Sequence, residues 1–475
     1  MKAWIFGVAD FPSYASDWNG RTILRRTRSY VHFKALLYPP TSGLFAGVRS
    51  RATVVLGHGR EKGKCWSVIF RRCIFMVLAL LTSWLQAAQS EVSAPVLLIS
   101  LDGFRWDYCD LYSAETPNLR RLKAEGASAR GLIPVFPSNT FPCHYSIATG
   151  LRPSHHGIIN NRFFDSSTGR YFSYNQPASN HDGSWWGGEP IWITARRQGR
   201  ASACYFWPGS EAEIGGLRPT FWKPYDYSVA FENRLAELID WLKLPVQERP
   251  AVITFYLEEA NSVGHAAGPG STELGQAIKK LDAQVGAILA RAEAEQIALN
   301  VVVVSDHGMT ALSVERVVIL DDYVDLETVQ MDFEGPVAGL RPNDGDVAAL
   351  MTKLAKLPAH VKAYRVEDLP GHLAVTPNLR QPPIWILVDE GWHLQRRSWF
   401  KTKQNAYSKG EHGYDPAFKS MQGILIVHGP AFRADGACIE PVESIHVYNL
   451  LCAAAGLKPA ANDGDERLVR ALLVR

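Results

Sequence analysis

Seven residues of this chain carry the oxygen and nitrogen donors from which a metal-assisted reaction centre can be built: Asp102, Thr140, Asn261, His265, Asp306, His307 and His412. They offer carboxylate, hydroxyl, amide and imidazole groups. Three or four such donors around one ion, with a position left open, have the composition of a catalytic zinc site. Two ions at phosphoryl-transfer separation can clamp both the attacking and the leaving oxygen. Taken singly the residues say little. An Asp-Gly after a strand is ordinarily a turn, and a histidine in a Gly-rich loop such as KGEHGYDP is ordinarily a surface residue. Their weight comes from where the surrounding elements put them.

The elements alternate between strand and helix from residue 95 onward. Pro95–Leu101, Ala251–Leu257 and Asn300–Ser305 are continuous apolar runs, the pattern of central parallel strands buried on both faces. Asp102 ends the first run and Asp306-His307 ends the third, while Asn261 and His265 follow the second. Gly131–Val135 reads as a short strand, and the loop Phe136–Thr140 leads into a helix over Pro142–Ala148 with Thr140 at its start. Thr116 and Pro117 read as the N-cap and first position of another helix. Leu235, Leu238, Ile239 and Leu242 fall at helical spacing, and Leu274, Ile278, Leu281, Val285 and Ile288 predict an amphipathic helix over Thr272–Ala294. Gly423–Val427 reads as a late strand and Ser444–Ala455 as a late helix. Residues 162–226, rich in Trp, Tyr, Gly and Pro, read as long functional loops. Residues 320–400 predict a small α+β subdomain with a short antiparallel sheet. The whole predicts a three-layer α/β/α sandwich with a mostly parallel central sheet. In such folds ligands bind beyond the carboxyl ends of the strands, where Asp102 and Asp306 stand.

Charge is distributed unevenly. Residues 1–72 hold thirteen Lys and Arg against three Asp and Glu, so of the chain's 50 and 47 the remainder carries 37 and 44. An acidic remainder argues against binding a nucleic-acid polymer, which needs basic surface to displace counterions. An anionic small molecule would then need a local cationic element, and metal ions supply one.

Arg71-Arg72, the apolar run Cys73–Leu85 and the small residues Gln86-Ala87-Ala88 have the layout of a secretory signal peptide over residues 68–88. The run is short for a membrane span, and an uncleaved signal anchor is the alternative. Residues 1–67 are basic without sustained period, and are expected to precede the true start, leaving 89–475 as a periplasmic or secreted catalytic domain. Five of the seven cysteines follow residue 88. Cys438 with Cys452 and Cys109 with Cys143 are candidate pairs that sequence cannot assign. No CxxC pair occurs, which disfavours a cysteine-built zinc site.

At these residues the chain resembles the nucleotide pyrophosphatase/phosphodiesterase family of the alkaline phosphatase superfamily. The resemblance runs from about Pro95 to about Asn462. Its segments are LLISLDGFRWDY, FPSNTFPCHYSIATGLRPSHHGIINN, WWGGEPIW, YFWPGSEAEIGG, YLEEANSVGHAAGP, VVVVSDHGM and GEHGYDP followed by SMQGILIVHGP. It implies an alkaline phosphatase-like fold and two Zn²⁺ ions. Asp102, Thr140, Asp306 and His307 would hold one ion, and Asn261, His265 and His412 the other. It further implies that Thr140 is a nucleophile forming a phospho-threonine that water then hydrolyses, and that Asn161 donates an amide hydrogen bond to a phosphoryl oxygen. Phe141 and Tyr225 would sandwich a nucleobase, with Trp207 and Glu211 lining the same pocket. The implied substrate is a small nucleotide or other phosphodiester.

One departure matters. The family has Pro-Asp where this chain has Ala260-Asn261. An amide oxygen can ligate but carries no charge, so the second metal site is expected to be weakened. Two alternatives stand beside this reading: a phosphomonoesterase or phosphonate hydrolase on the same fold and, because of Asn261, a metal-impaired binding protein. The sulfatase branch is disfavoured because Cys143 is followed by His144-Tyr145.

Overall fold

The structure, a computed structural model, describes residues 6–16, 22–32 and 94–474. Phe6–Ser16 and Thr22–His32 pair as an antiparallel hairpin, where the sequence shows no sustained period. The expected signal segment over residues 68–88 lies outside the described residues.

From residue 94 the chain builds a nine-stranded sheet. Its strands are β1 (Val96–Leu101), β2 (Ala127–Ile133), β3 (Ser202–Tyr205), β4 (Phe221–Lys223), β5 (Val252–Leu257), β6 (Asn300–Val304), β7 (Gly423–His428), β8 (Ala437–Ile439) and β9 (Val442–Glu443). The order across the sheet is β8-β2-β7-β6-β1-β5-β3-β4, with β9 also on β2. Only β7 runs against its neighbours.

Alternation along each strand divides the side chains between two cores. Val96, Leu98, Val302, Val304, Leu425 and Val427 join one. Leu97, Ile99, Leu101, Val301, Val303, Ile424 and Ile426 join the other. Helices cover both faces, because strands with no polar side must be buried on both sides. The second core is closed by α1 (Pro117–Glu125), α3 (Phe231–Lys243) and α5 (Thr272–Ala294), whose Leu274, Ile278, Leu281, Val285 and Ile288 are fully buried. The first is closed by α2 (Thr140–Thr149) and α6 (Val447–Ala454). This is the expected three-layer sandwich. The small α+β element is a four-stranded antiparallel sheet, Val329–Phe333, Val337–Pro342, Ile384–Val388 and Val361–Arg365, with helix Val347–Leu354. It has its own core around Leu340, Ile384 and Ile386.

Several local expectations are corrected. The strand read as Gly131–Val135 is β2, four residues earlier at its start, because its ladder partners lie at Gly423–Val427. Thr116 precedes α1 as expected but does not cap it; its hydroxyl donates to the Cys109 and Tyr112 carbonyls. The stretch 162–226 is less irregular than it reads, holding the hairpin Arg162–Asp165/Arg170–Ser173 and helix Ile191–Arg197. Ser444–His446 is a 3₁₀ turn ahead of α6. Neither cysteine pairing forms: Cys109, Cys143, Cys204 and Cys452 are buried free thiols, and Cys438 is a free thiol at the surface.

Candidate active site

The strand ends bring the seven residues together. Asp102 follows β1 and Asp306-His307 follow β6, which pair in parallel and so finish side by side. Asn261 and His265 do not lie in a loop. They sit one turn apart on α4 (Glu259–Ala267), the helix that begins directly after β5. His412 arrives from a distance. A two-residue antiparallel ladder, Thr310 with Glu411 and Ala311 with Gly410, ties its loop to the segment just beyond His307. Gly413 closes that loop at φ +102°, where a Cβ would stand 2.6 Å from the Asn139 Oδ1.

Thr140 is the first residue of α2, and Asn139 occupies the N-cap position. Thr140 therefore does not cap the helix. Its Oγ1 lies 3.3 Å from His307 Nε2. The same Nε2 is 3.4 Å from Asp102 Oδ1 and 3.1 Å from Asp306 Oδ2. Both carboxylate oxygens are buried and make no hydrogen bond of good geometry. The three separations from His307 Nε2 are close to the edge of a tetrahedron around a zinc ion, about 3.3 Å for bonds of about 2.0–2.1 Å. The residues fit a divalent cation.

The three histidines share one orientation. His307 Nδ1 donates to the Gly308 carbonyl, His412 Nδ1 to the Ser138 carbonyl and His265 Nδ1 to the Gly410 carbonyl, at 2.9, 3.0 and 2.9 Å. A carbonyl can only accept, so the proton is on Nδ1 and the Nε2 lone pair is presented to a cation. The His307 and His412 rings stack at 3.6 Å, and His265 and His412 are 5.0 Å apart. Asn261 Oδ1 is buried without a hydrogen-bond partner. Among the described residues two groups of His and carboxylate could hold a metal: Asp102 with Asp306 and His307, and Glu411 with His265 and His412.

The electrostatics match that reading. Burial, reinforced by the neighbouring Asp306, pushes the Asp102 carboxyl well above the usual range. Burial acts on Asp306 in the same sense, but His307 and His144 beside it outweigh that and hold its carboxyl well below the usual range. Burial lowers the His307 and His412 imidazoles, which favours the neutral, ligating form.

Three residues that sequence reasoning missed support the candidate donors. Tyr256 donates its hydroxyl to Asp102 Oδ2 at 2.5 Å. His144, fully buried, donates from Nδ1 to the Thr140 carbonyl at 2.9 Å and lies 3.1 Å from Asp306 Oδ2, while Ser100 faces its Nε2. Its place four residues after Thr140 on the same helix is the one signal that could have found it. Glu411 is the third.

A cavity of about 470 Å³ opens beside these groups, lined by Asp102, Thr140, Asn261, His265 and His412 and by all five residues assigned to substrate, Phe141, Asn161, Trp207, Glu211 and Tyr225. Phe141 packs edge-on to Tyr174, and Tyr225 is half exposed beside Phe206, itself held at φ +65°. Asn161 Oδ1 accepts from Phe141 N at 2.9 Å. Trp207 is buried floor rather than an open face; its indole donates to the His144 carbonyl. Glu211 binds protein rather than facing open space: it accepts from Tyr225 N at 2.7 Å and pairs with His181.

Residues 96–415 match the family described as Type I phosphodiesterase / nucleotide pyrophosphatase. The chain belongs to this family. It is 37% identical over 413 residues to a venom phosphodiesterase of Macrovipera lebetinus, covering 82% of this chain and 48% of that protein. It is 37% identical over 390 residues to ectonucleotide pyrophosphatase/phosphodiesterase family member 3 of Mus musculus, covering 80% and 44%. The chain thus spans about half the length of these curated relatives. Among solved structures it resembles murine ectonucleotide pyrophosphatase/phosphodiesterase 5, an inactive threonine-to-alanine variant in complex with AMP, at 34% identity and a TM-score of 0.75 over 80% of this chain and 100% of that one. The human counterpart matches at 33% and the same score.

Proposed function

We propose that this member of the family is an exported, zinc-dependent nucleotide pyrophosphatase/phosphodiesterase in which Thr140 is the nucleophile. The observation that carries the reading is the Thr140 hydroxyl, set at a helix start, 3.3 Å from His307 Nε2 and open to an aromatic-lined cavity. Asp102, Thr140, Asp306 and His307 would hold one Zn²⁺, and Asn261, His265 and His412 a second. Such cations lower the pKa of a hydroxyl and neutralise charge on phosphoryl oxygens when bound. Thr140 Oγ1 attacks phosphorus, the leaving group departs with the bond electrons, and water later cleaves the phospho-threonine. The start of α2 favours the negative charge that gathers there. Asn161, its Oδ1 held by Phe141 N, keeps its amide N–H groups to donate to a phosphoryl oxygen. Phe141 and Tyr225 would take the base between them.

The relatives support the substrate class, since the murine structure holds AMP and is inactive without its threonine. Export is supported by relatives named as venom and ecto-enzymes. Among the described residues no helix is long and apolar enough to cross a membrane.

The test is turnover of a nitrophenyl nucleotide diester against nitrophenyl phosphate, in wild type and Thr140→Ala. A strong preference for the diester is expected, with loss of ~10³-fold or more in the variant. Preference for the monoester would favour the phosphomonoesterase reading. Asn261 gives specific ground for the metal-impaired alternative, which fewer than one zinc per chain and no turnover would establish.

A further inference from the structure

The second cation site has a charge deficit. Asn261, His265 and His412 are all neutral ligands, whereas the first site holds the two carboxylates of Asp102 and Asp306. The geometry points to Glu411 as the residue that supplies the missing negative charge, from the Nδ1 side of His265 and against the backbone of His412. This rests on the two-cation reading above.

Glu411 is placed by the ladder to Thr310 that also delivers His412. Its Oε1 accepts from the His412 backbone N–H at 3.1 Å and lies 3.7 Å from His265 Nδ1. Its Oε2 lies 3.9 Å from His393 Nε2, a ring whose charge burial disfavours. No Lys or Arg ion pair at Glu411 competes for its charge among the described contacts, and its side chain is 17% exposed. Each of Glu411, His265 and His412 offers a ligand-type atom within 4.8 Å of the others. The His265 Nδ1–H goes to the Gly410 carbonyl, which fixes the ring; the Glu411 carboxylate 3.7 Å away acts through its charge, which favours positive charge on the imidazole and so raises the donor strength of Nε2. Its charge also acts on a dication a few ångströms beyond, where burial limits screening.

Asn261 sharpens the assignment. Its Oδ1 has no partner and faces the same cavity as His265, so it remains a ligand in place but without charge. The rival carboxylate is Glu258, which lines that cavity, but Arg234 stands 3.5 Å from it and offsets its charge. Glu411 is thus a positioning residue through which this chain offsets its Asp-to-Asn departure.

The test measures metal affinity, not turnover. Wild type, Glu411→Gln, Glu258→Gln, Asn261→Asp and the Glu411→Gln/Asn261→Asp double variant are titrated with Zn²⁺ against a chelating indicator. Co²⁺ absorption reports the coordination of each equivalent. Wild type should take two equivalents. Glu411→Gln should keep the first unchanged, which also shows that it folds, and bind the second ~10–100-fold more weakly. Asn261→Asp should restore the second in the double variant. An unchanged second equivalent in Glu411→Gln, a parallel loss of both, no rescue by Asn261→Asp, or an equal loss in Glu258→Gln would each overturn the assignment. Fewer than two equivalents in wild type would instead overturn the two-cation reading on which it stands.

Discussion

At the residue scale, the donor groups of the candidate site depend on side chains that stand behind them. Tyr256 is the clearest case. Burial first of all, then the adjacent Asp102, pushes its phenol well above the usual range, so it remains a donor at any physiological pH. Tyr256→Phe would leave Asp102 Oδ2 buried and unpaired. The expected outcome is a loss of about 1–3 kcal/mol in apo-protein stability and ~10-fold weaker binding of the first cation. Urea unfolding and chelator competition measure the two. The seven donor residues were legible in the sequence because strand ends and short motifs announce them. Tyr256, His144 and Glu411 were not. Each acts on a group contributed by another part of the chain or by a helix turn, and the sequence shows spacing but not which groups the fold will make neighbours. Thr140 was legible as the start of a helix, but only the structure separates its hydroxyl from a capping role, because the N-cap position is one residue earlier, at Asn139.

At the element scale, α2 carries the nucleophile at one end and is anchored further along by a buried histidine. Ser146 on α2 faces His156 Nε2 at 2.9 Å, and His156 Nδ1 accepts from Ile158 N at 3.1 Å. A ring nitrogen that accepts from an amide carries no proton, so His156 is neutral with its proton on Nε2. Burial lowers its pKa from 6.5 to about 3, against the opposing effect of the Pro142 carbonyl. The folded state therefore resists a proton that the unfolded chain accepts below about 6.5. Stability from this group is fully present above pH 6.5 and is lost progressively as pH falls from there toward 3. Melting temperatures should decline over that window in wild type and decline less steeply in His156→Gln. An equal slope in both would remove His156 from the account. Elements with strong period were read well: α5 is found at Thr272–Ala294, with the Ser271 hydroxyl accepting from Leu274 N. The misread ones, β2 and the 162–226 stretch, have weak periodicity, and their bounds come from ladder partners far away in sequence.

At the scale of the whole molecule, the candidate site joins segments from residue 102 to residue 412, and the buried Asp102 carboxylate at its middle opposes folding in its charged form unless a cation offsets it. Removing divalent metal with a chelator should abolish turnover and lower the melting temperature. Restoring Zn²⁺ to 100 times its Kd should return about 2.7 kcal/mol, readable by calorimetry. A melting temperature indifferent to metal would contradict a cation bound between Asp102, Asp306 and His307. The layered fold was legible because buried parallel strands leave long apolar runs. The state of the cysteines was not, because nothing in their spacing says that Cys452 is enclosed in a helix while Cys438 lies on an outer strand.

The imidazole orientations carry a wider consequence. His265, His307 and His412 are each steered by a peptide carbonyl rather than by a neighbouring side chain. A peptide group survives every point mutation that keeps the chain trace. The rings can therefore stay aimed while the residues around them drift, so new preferences for substrate or ion can arise on this scaffold without the aim being lost and regained.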